Sequence, residues 1–268
     1  MRDISATVES IPLVTASILS KKLAEGLNGL LMDVKVGNGA VMPTYDQSKA
    51  LAQSIARVAN LAGVTTHVLM TDMNQPLSNA AGNALEMVET IKILTGESKD
   101  KRLIEVILQQ AAHMIAIAKN IEVDAGYKLA QELLSSGKAA ERFAQMVVQM
   151  GGPADLIENH QTIFKPAPII KPVYANEAGT IHAVDTHGVG MTVVALGGGR
   201  SHPDDALDYR VGLTDLVEKG QSVDADTPIG VVHANSEESF ENAKQRLLSA
   251  YQVGQGEATL EPLIHESF

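Results

Sequence analysis

The chain has 268 residues, 45% of them hydrophobic and 3% aromatic, with 21 Lys and Arg against 32 Asp and Glu for a formal net charge of −11. Such a length suits one large domain or two modest ones, and the negative charge disfavours a nucleic-acid or anionic-membrane surface as the role of the whole. The absence of Cys removes disulfides, thiolate nucleophiles and Cys-based metal sites together. The longest apolar runs, such as Met114–Ala118 and Val193–Leu196, fall far short of a bilayer span. Met1-Arg2-Asp3-Ile4 lacks the layout of a signal peptide, so the expected location is cytoplasmic.

A helix is expected from Ser10 to Gly26, with Ser10 as cap, Pro12 in its first turn and Ile11, Val14, Ile18 and Leu19 on one face. An apolar strand over 30–36 then runs into Gly37-Asn38-Gly39-Ala40. A helix over 46–62, a second strand over 64–71, a loop from Asp72 to Gly82 and a helix over 83–94 follow. Strand, loop and helix in alternation predict a parallel sheet with crossover helices. Three helices are expected over 101–118, 121–135 and 138–149, punctuated by Asn120, Gly137 and Gly151-Gly152-Pro153. In the first of them Leu108, Ala111, Met114 and Ile115 read as buried, with Gln109, Gln110 and Lys119 outside. Short β-rich runs with frequent Gly occupy 169–235, an amphipathic helix spans 239–251, and the tail beyond Gly254 reads as poorly packed.

Two strands make too small a sheet to sit under so many helices. Either the C-terminal unit supplies more strands or the chain has lost N-terminal strands that would complete the sheet, and the pattern favours the second. The expected class is α/β, a mixed parallel sheet flanked by helices, with an α/β layer at roughly 1–165 and a small β-rich unit at 166–268.

Several constellations could carry chemistry. Ser17 and Lys21 stand four apart on the first helix, so their side chains share a face; with Arg2 from a neighbouring segment they would donate together to a heterocycle gaining negative charge. Spacing alone favours a solvated helix face there. Asp33-Val34-Lys35-Val36-Gly37-Asn38-Gly39 lies where ligands enter open α/β sheets, at a strand's carboxyl end. It is neither a Walker loop nor a dinucleotide fingerprint, and an internal Asp33–Lys35 pair explains it as well as a ligand does. Asp72 occupies the equivalent place after the second strand, facing a ligand or holding the loop, and Asn83 reads as a helix cap. Glu86 and Glu89, three apart, could hold a cation with loop carbonyls, but they read first as a solvated helix face. The eight histidines show no metal-ligand spacing. Gly197-Gly198-Gly199-Arg200 reads as a tight turn before an anion-gripping nest.

Taken in order, Arg2-Asp3-Ile4-Ser5 to Pro12-Leu13, Ser17-Ile18-Leu19-Ser20-Lys21-Lys22 and Met32-Asp33-Val34-Lys35-Val36-Gly37-Asn38-Gly39-Ala40 closely resemble the pyrimidine-nucleoside phosphorylase family. The likeness continues through Thr71-Asp72-Met73-Asn74-Gln75, Gly82-Asn83-Ala84, Leu94-Thr95-Gly96-Glu97 and Gly197-Gly198-Gly199-Arg200 to Val232-His233-Ala234-Asn235, essentially the whole chain. The resemblance implies phosphorolysis of a pyrimidine deoxynucleoside to free base and 2-deoxyribose 1-phosphate. Inorganic phosphate is then co-substrate, no cofactor or resident metal is needed, and the enzyme is a homodimer paired through a helical domain. It also implies that Arg2, Ser17 and Lys21 hold the base, that 1–25 belongs to the dimerisation domain and 26–165 to the central α/β domain, and that 166–268 resembles biotinyl and lipoyl domains. In some relatives a monovalent cation is held at positions matching Leu77, Ala80 and Glu89. The family's Lys-His-Ser-Thr-Gly-Gly phosphate loop precedes the Arg, whereas Met1 stands directly before Arg2 here. The expectation is therefore a C-terminal portion of such an enzyme, with the base-binding residues and no phosphorolysis by itself.

Two other readings compete. A non-catalytic carrier-like module would rest on the C-terminal unit, but Val232-His233-Ala234-Asn235 replaces the Met-Lys pair that accepts a cofactor. An enzyme of the anthranilate phosphoribosyltransferase type shares the α/β layout but needs a diphosphate-gripping loop and magnesium carboxylates, neither of which stands out.

Overall fold

The computed structural model describes residues 10–42 and 44–268. In chain order the elements are α1 (Ile11–Ala24), β1 (Gly29–Val36), α2 (Tyr45–Leu61), β2 (Thr65–Asp72), α3 (Asn83–Thr95), α4 (Lys101–Lys119), α5 (Val123–Ser135), α6 (Lys138–Gln149) and α7 (Leu156–Ile163). β3 (Ile169–Tyr174), β4 (Gly179–Val184), α8 (Thr186–Val193), β5 (Gly212–Thr214), β6 (Ser222–Val223), β7 (Pro228–Ala234), α9 (Glu237–Ala250), β8 (Tyr251–Gly254) and β9 (Ile264–Ser267) follow. The chain forms two compact units. One takes the described residues up to Asn74 with Arg102–Glu132 and Glu261–Phe268; the other takes Gln75–Lys101 and Leu133–Leu260.

In the first unit β1 and β2 run parallel, joined through α2, and stay in register from Gly29↔Thr65 to Val36↔Asp72. Helix α2 is capped by Thr44, whose hydroxyl accepts the Gln47 amide at 3.3 Å. It buries Ser48, Leu51, Ala52, Ile55 and Ala59 at helical spacing against Val34, Val36, Val68 and Met70 of the strands. Helix α1 adds Val14 and Leu19 to the same core. Ser10 sits at its N-terminus, but its side chain makes no capping bond. Helix α4 approaches the sheet so closely that a Cβ at Gly29 would lie 2.4 Å from Ile117 Cγ2, which restricts this strand position to glycine.

The first sheet gains its third strand from the C-terminus. β9 pairs antiparallel with β2 from Leu69↔Ser267 to Thr71↔Ile264, giving the order β1-β2-β9. Phe268 and Val68 exchange both backbone hydrogen bonds at 2.9 and 3.0 Å, and the Asp72 amide donates to Leu263 O at 2.9 Å. Tyr45 Oη and Lys49 Nζ donate to the Glu266 carboxylate at 2.8 and 2.9 Å, and Lys49 lies 5.9 Å from the Phe268 ring. The tail beyond Gly254 is thus not poorly packed, and the third strand comes from the C-terminal part, the alternative that the sequence pattern does not favour. The expected mixed sheet is present, parallel on one side of β2 and antiparallel on the other.

The buried stripe of α4 is Val106, Leu108, Ala112, His113 and Ala116, turned from the expected one; Met114 is 60% exposed. In the second unit two three-stranded sheets, β3-β7-β5 and β6-β4-β8, enclose a core with α8 and α9 that includes Ile181, Leu196, Leu213, Val232 and Leu247. The β-rich reading of 169–235 missed α8. Thr186-His187-Gly188-Val189-Gly190 has poor helix propensity, but Asp185 caps it through the Gly188 amide at 2.9 Å, and Val189 and Thr192 are buried. A π-helical turn over Val194–Gly198 extends it. Helix α7, eight residues with a kink at Asn159, gave too short a pattern to read.

Deleting Glu261–Phe268 is expected to speed amide exchange at Val68 and Asp72 several-fold or more, each losing a hydrogen bond of about 0.5–1.5 kcal/mol. Hydrogen–deuterium exchange by mass spectrometry checks this, and unchanged protection in β2 would show that β9 does not support the sheet.

Candidate functional site

Of the three residues expected to hold a base, Arg2 lies outside the described residues, and Ser17 and Lys21 lie on α1. Val14, Thr15 and Leu19 turn that helix toward α2, and Thr15 Oγ1 meets Ser54 Oγ at 2.9 Å, which fixes its rotation. Ser17 is consequently half-buried and Lys21 exposed, one turn apart beside the buried stripe. Among the described residues neither the Ser17 hydroxyl nor the Lys21 ammonium has a protein partner, whereas adjacent Lys22 pairs with Glu25 at 3.7 Å.

At the carboxyl end of β1, Asp33 and Lys35 point to the same side of the strand, as period two requires. Lys35 Nζ donates to Asp33 Oδ2 at 2.6 Å and to Thr71 Oγ1 at 2.9 Å. Thr71 Oγ1 donates onward to Asp33 Oδ1 at 2.5 Å, and Gln110 Nε2 of α4 reaches Asp33 Oδ2 at 2.7 Å. Both charges are spent internally, so of the two readings open for this pair the internal one holds. Gln110 belongs to this network and not to an outer polar face.

Asp72 ends β2 on the opposite side of the sheet and is 1% exposed. Its Oδ2 accepts Arg102 Nη2 at 2.7 Å, and its Oδ1 accepts the Asn74 amide and Asn74 Nδ2 at 3.1 and 2.7 Å. His265 Nε2 stands 3.9 Å from the same oxygen. Asp72 therefore anchors the loop, with its acceptors taken by protein donors. Asn74 in turn abuts Gly37, where φ is +127° and a Cβ would fall 2.7 Å from the Asn74 backbone nitrogen. The Gly37–Ala40 loop is glycine-rich because it closes on the neighbouring loop, with Gly39 N donating to Met73 O at 3.0 Å. Arg102 escaped sequence reading altogether; an Arg in the first turn of an amphipathic helix gives no sign that it will be buried.

In the second unit Gly82, not Asn83, caps α3, and Asn83 Nδ2 donates to Gly198 O at 2.8 Å. Glu86 Oε1 accepts the Gly82 amide at 2.9 Å. Glu89 is buried and bonded to the Ser98 hydroxyl, so the pair is not a solvated face. The glycine run is a left-handed end to a π-helical turn, Gly197 having φ +95°, and not a β-turn. Arg200 Nε donates to Asp205 O, while the Asp205 carboxylate takes the Ser201 and His202 amides at 2.9 and 2.8 Å. The carboxylate thus engages the two amides that follow the run, and Arg200 is spent on a backbone carbonyl. Among the described residues no group of three or more His, Asp or Glu could hold a metal ion, and no helix is long and apolar enough to cross a membrane.

Residues 1–140 match the a/b-domain model of a glycosyl transferase family, and residues 180–254 match the C-terminal domain of pyrimidine nucleoside phosphorylases. The chain belongs to the pyrimidine nucleoside phosphorylase family. Its members are pentosyltransferases, and the two matches follow one another along the chain in the order the sequence resemblance implies.

Arg102→Met should destabilise the protein by about 3–5 kcal/mol, because it leaves the buried Asp72 carboxylate without its cation; Arg102→Met combined with Asp72→Asn should recover part of that loss in urea unfolding. A second expectation concerns His67 and His113, whose Nδ1 atoms lie 3.1 Å apart. Burial first, and the neighbouring imidazole second, hold His113 below its ordinary value of 6.5. A depressed imidazole is neutral when folded and takes up its proton more readily when unfolded, so stability is full above about pH 6.5 and falls as pH drops below it. In His113→Phe that part of the acid loss should shrink, as thermal melting between pH 7.5 and 5 will show.

Proposed function

We propose that this protein acts in pyrimidine salvage as a thymidine phosphorylase, the reaction of thymidine with inorganic phosphate to give thymine and 2-deoxy-α-D-ribose 1-phosphate. The observation that carries the reading is the pair of unspent donors on α1. Among the described residues the side chains of Lys21 and Ser17 have no protein partner, whereas Asp33, Lys35, Thr71 and Asp72 at the strand ends are tied down, and the family to which the chain belongs breaks the bond that such donors would ease. As the glycosidic bond opens, the sugar gains oxocarbenium character and the base gains negative charge. An ammonium and a hydroxyl at its ring atoms, with the Arg2 guanidinium, bind that charge more tightly in the transition state than in the ground state.

Phosphate enters this scheme as co-substrate, with no cofactor and no resident metal. Residues 1–25 are proposed to serve dimerisation, as in a homodimer of the family, 26–165 the central α/β domain, and 166–268 a unit akin to biotinyl and lipoyl domains. The proposed location is the cytoplasm. The family's Lys-His-Ser-Thr-Gly-Gly phosphate loop does not occur in these 268 residues. The proposal accordingly assigns base binding to this chain and no phosphorolysis to it alone.

Isothermal titration with thymine should show binding that Lys21→Ala weakens about tenfold or more, the scale of a hydrogen bond to a charged group. Lys21 is exposed, so the variant keeps its fold. Binding indifferent to the substitution would refute the assigned pocket, and turnover of thymidine with phosphate by this chain alone would refute the division of labour.

A further inference from the structure

A cavity of about 770 Å³ lies within the second unit, and none of its lining residues is one assigned above to the base. One wall is a single face of α3, Asn83, Glu86, Met87 and Thr90, spaced i, i+3, i+4 and i+7. The opposite side is built by Ile163 at the end of α7, by Phe164 and Lys165 after it, and by Tyr209 and Arg210 ahead of β5. Its size lies within the range of small-molecule sites, and its lining combines an apolar floor from Ala84, Met87, Ile163 and Phe164 with a few polar groups.

The charges sort themselves. Arg210 donates through Nε and Nη2 to Asp208 at 2.9 and 2.8 Å, a bidentate pair that neutralises both and holds the Asp208 carboxyl below its ordinary value. Glu86 sits in the first turn of α3, where the helix dipole favours an anion, and accepts the Gly82 amide. Lys165 alone among these charges has no partner among the described residues. A cavity with an apolar floor, one compensated ion pair, a carboxylate held by a backbone amide at a helix N-terminus and one ammonium without a partner among the described residues offers a single attachment point for a negative charge on an apolar body. We propose that this cavity binds a small carboxylic acid with an aromatic or aliphatic body, the carboxylate on Lys165 and the body over Met87, Ile163 and Phe164. The site shares no residue with those proposed for the nucleoside reaction.

The probes are 3-phenylpropionate and its neutral counterpart 3-phenylpropan-1-ol, titrated calorimetrically into the whole chain. The acid should bind at least tenfold more tightly than the alcohol. Lys165→Gln should bring the acid to within about twofold of the alcohol, Lys165→Arg should keep the preference, and Thr90→Trp, which fills the cavity from an exposed position, should remove binding of both. Lys165 and Thr90 are both exposed, and an unchanged melting temperature certifies each variant as folded. No binding of the acid, equal affinity for acid and alcohol, or acid affinity untouched by Lys165→Gln would overturn the proposal.

Discussion

The parallel pairing of β1 with β2 fixes more of the first unit than any other contact. Eight consecutive residue pairs remain in register, so both strands deliver their carboxyl ends at the same level. Period two then decides sides: Asp33, Lys35 and Thr71 fall together on one face, and Asp72 on the other. A slip of one residue would bury Lys35 in the apolar layer under α2 and break both charge networks at once. The networks are a consequence of the register and reinforce it, since each carboxylate finds its donors only when the strands are aligned as they are.

The same constraint explains why the glycine loops are closed on protein partners. Parallel strands need their carboxyl-end loops finished, and this protein finishes them on each other: Asn74 against Gly37, Met73 O accepting from Gly39, Arg102 and Gln110 reaching in from α4. On α1, by contrast, Thr15 and Leu19 are buried against α2, and among the described residues the side chains of Ser17 and Lys21 are left without protein partners. The division between a satisfied sheet edge and an unsatisfied helix flank is the strongest physical argument for where a pyrimidine would sit.

Much of this was legible in the sequence because local and tertiary preferences agree. The apolar run of β1, the i, i+3, i+4 spacing of α2 and the left-handed stops at Asn120, Gly137 and Gly151 each point to the element that forms. Where they disagree, reading failed. Two glycines in α8 argue against a helix, and only the Asp185 cap and the burial of Val189 and Thr192 override them. The tail looked loose because Ile264–Ser267 is short and polar, yet its partner β2 lies nearly two hundred residues earlier, a distance no local pattern reports. At the site, Lys35 and Asp33 were visible as a pair, but Arg102 and Gln110 were hidden, since a helix position does not announce that its polar side chain will meet a buried carboxylate.

The account rests on α1 as the base-binding element, and backbone amide shifts recorded on adding thymine test it most directly. The account predicts that the largest changes fall on residues 14–24, with little movement in α3 or at 163–165. Shifts confined to α3 and the cavity beside it, with Ser17 and Lys21 unmoved, would contradict it.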